Sequence, residues 1–77
     1  MYIVTELQTT GDTTAVLNYQ YADKNLAEQK FHEILAYAAT STVQIHAVSI
    51  LNEYGCVARN EFYEHEVQVE PTPEPET

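Results

Sequence analysis

The run from Asp23 to Thr40, Asp-Lys-Asn-Leu-Ala-Glu-Gln-Lys-Phe-His-Glu-Ile-Leu-Ala-Tyr-Ala-Ala-Thr, is the one long helical pattern in the 77 residues. Ala27, Phe31, Ile34, Leu35 and Ala38 recur at the spacing that puts them on a single face of a 3.6-residue helix. Asp23 is suited to cap the first turn, because its carboxylate accepts from amides that have no partner inside the helix. No Gly or Pro interrupts the run, and the β-branched cluster at Thr40, Thr42 and Val43 favours leaving the helix there. A single helix of about 25 Å has one apolar stripe to bury, so the flanking segments must supply the surface that covers it.

Those segments read as strands. Tyr2–Thr9 is rich in β-branched residues, and Thr14–Ala22 alternates Ala15, Leu17, Tyr19 and Tyr21 against Asn18 and Gln20. Gly11 and Asp12 lie between them in a turn, which makes the pair an antiparallel hairpin. After the helix, Val43–Asn52 and Cys56–His65 form a second hairpin about Glu53-Tyr54-Gly55. The predicted fold is α+β, in the order β-β-α-β-β: a four-stranded antiparallel sheet with one helix on one face. A four-residue loop at Asn52–Gly55 puts His46 opposite Glu61. It also turns Val43, Ile45, Ala47, Leu51, Cys56, Ala58 and Phe62 toward the helix. The other face, with His46, Val48, Ile50, Val57, Arg59, Glu61, Tyr63 and His65, is then left open. Residues 1–69 form the one domain expected. Residues 70–77, where Pro71, Pro73 and Pro75 alternate with Thr and Glu, read as a disordered acidic tail.

A single domain this small buries only about 60% of its unfolded surface, and such domains draw on a disulfide, a metal or a partner. The single Cys56 excludes an internal disulfide. His32, His46, His65 and Cys56 show no metal-ligand spacing, so no metal and no cofactor is expected. Self-association remains, as a dimer or higher homo-oligomer joined by the open face or an edge strand. The formal net charge is −9, with three Lys and Arg against twelve Asp and Glu, so direct binding to a nucleic-acid backbone is not expected. No apolar run is long enough to span a membrane, and the start lacks the basic and apolar regions of a signal peptide. With a lone cysteine, this points to the cytoplasm.

Catalytic motifs are absent. Cys56 has no evident base and reads as a small buried residue. His32, next to the apolar stripe, reads as a boundary histidine that packs its ring. Six tyrosines in so short a chain favour an interface, since a tyrosine buries a ring and keeps a hydroxyl for bonding. The binding residues expected are His46, Arg59, Glu61 and Tyr63 on the open face, joined by Tyr19 and Tyr21 if the first hairpin shares it.

The opening Met1–Thr10, the segment Tyr21-Ala22-Asp23-Lys24, the helical Glu28–Ala36 and the closing Tyr63-Glu64-His65 together resemble small uncharacterised proteins encoded by phages and prophages of Firmicutes. The resemblance covers residues 1–65 and brings no catalytic motif. It implies a small accessory protein made inside a host bacterium. The function expected is non-enzymatic: a self-associating inhibitor of host anti-phage defence that masks a host protein or sequesters a small signalling ligand. The alternative is a structural or assembly component of the phage particle, in its tail region.

Overall fold

The computed structural model describes residues 1–65. The order is β1 (Tyr2–Thr10), β2 (Thr13–Tyr21), α1 (Lys24–Thr40), β3 (Ile45–Asn52) and β4 (Val57–Glu64). The four strands form one antiparallel sheet in the order β2-β1-β3-β4, with α1 across one face. This is the α+β fold expected from the sequence. The expected tail at 70–77 and the last residues of the expected domain lie outside the described residues.

Local chemistry sets the boundaries. The β1–β2 turn is only Gly11-Asp12, and Gly11 takes φ 61°, a left-handed angle that a side chain would strain. Asp23 is the N-cap: it is extended, and its carboxylate accepts from Asn25 N at 2.8 Å. At the other end Ser41 returns to extended geometry, and its N–H donates to Ala38 O. In the second hairpin Asn52 Oδ1 accepts from both Tyr54 N and Cys56 N, which closes the turn before Gly55 at φ 82°.

The core lies between α1 and the two central strands. Phe31, Ile34, Ala27 and Ala38 from the helix are buried with Val4, Val48 and Ile50. Leu35, Tyr2, Tyr19 and Tyr21 pack around them, half-buried. Across the helix side the register sets Tyr19, Val4, Ile50 and Arg59 in one row, Leu17, Glu6, Val48 and Glu61 in the next, and Ala15, Gln8, His46 and Tyr63 beyond.

The helix therefore covers the face opposite to the one expected. His46, Val48 and Ile50 lie under it, while Ile45, Ala47, Leu51 and Phe62 belong to the open side. The physical reason lies in the middle of each strand. Tyr19, Val4 and Ile50 offer an apolar centre to the helix, whereas the same level of the other face is Asn18, Thr5, Ser49 and Asn60. An apolar helix stripe removes more apolar area from water by covering that apolar centre than by covering the polar row. Two further expectations are corrected. Leu51 pairs with Val57, where a four-residue loop would pair it with Cys56, and a β-bulge between Ile50 and Leu51 adds one more residue of shift, so His46 opposes Tyr63 and Glu61 opposes Val48. Cys56 is exposed, because it sits in the turn before β4 begins.

Candidate groove beside the helix C-terminus

Glu6 and His46 are the only buried charged or polar residues among the described residues. β1 and β3 hold them on the helix side, diagonal to each other through Gln8 and Val48. His46 Nε2 lies 2.6 Å from Glu6 Oε2, and Gln8 Nε2 donates to the same oxygen at 2.8 Å. With the Glu6 carboxylate ionised, Oε2 accepts from both, and His46 carries a hydrogen on Nε2 and donates it. Nδ1 of the ring is sealed from solvent and has no partner among the described residues. Glu6 Oε1 and Gln8 Oε1 have no partner among the described residues, and neither is sealed in this way.

These residues floor a groove of ≈ 490 Å³, walled by Tyr37, Thr40, Ser41, Thr42 and Val43. That size suits a small ligand. The groove lies where α1 ends, and the last turn of the helix carries no basic residue. The carbonyl end of a helix holds roughly half a negative charge. Tyr37 stands at the rim, 71% exposed. A smaller depression of ≈ 220 Å³ lies at the other end of the helix, against Tyr21, Leu26, Gln29, Lys30 and Glu33.

All six residues expected to bind occupy the helix side of the sheet. Tyr19 pairs with Val4 and Tyr21 with Tyr2, so the first hairpin does share the face of His46. They do not form one cluster. Arg59 is tied to the helix, with its Nε 2.8 Å from Glu28 Oε2. The Arg59 guanidinium holds the Glu28 carboxyl below its ordinary range, outweighing the opposing effect of burial. Tyr19 lies under Lys30, whose Nζ sits 4.3 Å from the ring centre. The Glu33 carboxylate, 3.2 Å from that ammonium, raises its pKa. Tyr63 is half-exposed on the edge strand and stacks on His65, whose Nε2 bonds Ala38 O at 2.8 Å. Only His46 of the six lines the groove. His32 packs edge-on against Phe31 at 5.3 Å and stays largely exposed.

Compared with known proteins, the chain matches no family model, no curated protein and no solved structure. Glu6 and Gln8 are the floor residues that reasoning from sequence missed. The available signal was an acid in the middle of a strand, two residues after Val4. Among the described residues no group of three or more His, Cys, Asp or Glu could hold a metal ion, and no helix is long and apolar enough to cross a membrane.

Proposed function

We propose that this chain is a non-enzymatic binding protein that self-associates through its open sheet face. In this reading the assembly masks a host protein or sequesters a small ligand in the cytoplasm of a bacterium. The resemblance to phage and prophage proteins makes inhibition of anti-phage defence its setting.

The observation that carries self-association is the chemistry of the open face. Its three inner rows are Gln20-Ile3-Leu51-Val57, Asn18-Thr5-Ser49-Asn60 and Val16-Leu7-Ala47-Phe62. None of these twelve residues is charged, in a chain with a net charge of −9. The polar row satisfies itself, since Thr5 Oγ1 donates to Asn18 Oδ1 at 2.9 Å and Ser49 Oγ to Asn60 Oδ1 at 2.8 Å. Phe62 and Val57 are more than half exposed on either side of it.

A second copy is the occupant this pattern fits. Strands β1 and β3 are antiparallel neighbours at the centre, so a half-turn about the Thr5–Ser49 pair exchanges Leu7 with Leu51, Val16 with Val57 and Asn18 with Asn60. Such a face offers largely like surface to a copy of itself in two orientations, and an isologous contact uses the same patch on both copies. Four strands of eight or nine residues present about 20 by 30 Å, so a pair of faces covers roughly 1,200 Å², the lower end of specific interfaces. The β4 edge is a poorer seam, guarded by Arg59, Glu61, Glu64 and a bulge.

Catalysis finds no support in the Glu6–His46 pair. Nε2 is engaged by Glu6 and Nδ1 is sealed from solvent, which supports reading the pair as a positioning element. The test is Leu7→Asp with Phe62→Asp. Light scattering should give an 8.7 kDa monomer with an unchanged helical signal, and defence-inhibiting activity in plating assays should fall with it. A variant that still self-associates would remove the open face from consideration.

A further inference from the structure

We propose that the groove at the end of α1 binds an organic cation, an ammonium or guanidinium group, with Glu6 Oε1 and Gln8 Oε1 accepting its hydrogens. This site lies on the opposite side of the sheet from the self-association face and does not depend on it.

Four features converge on that ligand class. The floor favours acceptance: Gln8 commits one N–H and His46 its Nε2 to Glu6 Oε2, and Glu6 Oε1 and Gln8 Oε1, in residues that line the groove, have no partner among the described residues. The buried His46, 4% exposed, serves to position the carboxylate and does not itself touch the ligand. The groove sits at the negative end of the helix dipole, in a last turn without a basic residue. No Lys or Arg lines it. The chain has three such residues: Lys24 begins the helix at the far end, Lys30 is paired with Glu33, and Arg59 with Glu28. Finally, the exposed Tyr37 ring stands at the rim, where a cation can lie against its face. An anion would meet the carboxylate and the helix carbonyls with no compensating charge.

A buried carboxylate–imidazole pair is also a poor choice for stability alone, because apolar residues of similar size usually do as well.

Two probes carry the same chemistry from different sources: agmatine, a free small molecule, and the blocked tripeptide acetyl-Gly-Arg-Gly-amide, an arginine side chain in a peptide. Each is titrated into the ¹⁵N-labelled full chain. Saturable shifts are expected at Glu6, Gln8, Tyr37 and Thr40–Val43 with at least one probe, and the tighter probe identifies the source. Glu6→Gln removes the charge at constant shape and should weaken binding about tenfold or more, since a hydrogen bond to a charged group is involved. Tyr37→Ala, at an exposed position that does not endanger the fold, should weaken it by roughly threefold. The proposal is overturned if neither probe saturates by about 10 mM, where binding would be weaker than any specific site. It is equally overturned if the shifts spread over the acidic surface and survive Glu6→Gln, which is counterion attraction only.

Discussion

Replacing Glu6 and His46 by leucine, singly and together, should give an unequal and strongly coupled pattern of stability. In Glu6→Leu the buried His46 loses its one partner. Its Nε2–H is then an unsatisfied donor beside an Nδ1 that already lacks a partner, and the change should cost about 2–3 kcal/mol. In His46→Leu the carboxylate keeps the Gln8 amide and its open Oε1, so the loss should be only about 1 kcal/mol. The double variant leaves no stranded polar group and adds apolar surface beside Val48 and Leu17. It should match the wild type or exceed it. The coupling between the sites is then about 3 kcal/mol or more, well beyond the usual additivity error. Against a total near 4–11 kcal/mol for a domain of this size, urea denaturation followed by circular dichroism resolves such differences. The reasoning is refuted if the two losses add in the double variant, or if His46→Leu proves the costlier change. The double variant carries a second consequence: a fold that stays intact with its cation binding gone.

Phe31 is 1% exposed at the centre of the helix–sheet contact, so Phe31→Ala should cost about 3–5 kcal/mol and leave little folded protein at 37 °C by thermal melt. Asp23→Ala removes the helix N-cap and should cost about 1 kcal/mol in the same assay. Glu28 has its pKa lowered from 4.5 by Arg59, so the pair stabilises above the unfolded value and the benefit is lost as pH falls through the folded one. The stability gap between wild type and Arg59→Gln should therefore be present at neutral pH and close on acidification below 4.5, read as urea midpoints across a pH series. Cys56 is exposed in the turn and should react fully with a thiol reagent in the native state.

The helix and the strand order along the chain were legible because their signals are local. The cap at Asp23 and the stripe from Ala27 to Ala38 stand in consecutive residues, and each hairpin carries its own glycine. Which sheet face meets the helix was not legible in the same way. Strand β3 is apolar on both sides, with Val48 and Ile50 on one and Ile45, Ala47 and Leu51 on the other, so alternation alone does not choose. The choice is made by Ser49 aligning with Thr5, Asn18 and Asn60, a row that exists only once three registers are known. The turn pairs Leu51 with Val57 and the bulge after Ile50 adds a second residue of shift, and together they move His46 from Glu61 to Tyr63, since an assumed loop length gives a register only where the turn and the ladder are regular. The groove shows the same limit. His46 stood out in the sequence as a histidine within an apolar strand, but its partner Glu6 is 40 residues away. The spacing between them carries no signal, and only the β1–β3 pairing joins them.

Sedimentation velocity of the full chain at micromolar concentrations tests self-association through the open face most directly. A species at twice the 8.7 kDa chain mass or above, reduced to monomer by Leu7→Asp with Phe62→Asp, is the expected result. A wild-type chain that sediments as a stable monomer across that range contradicts it.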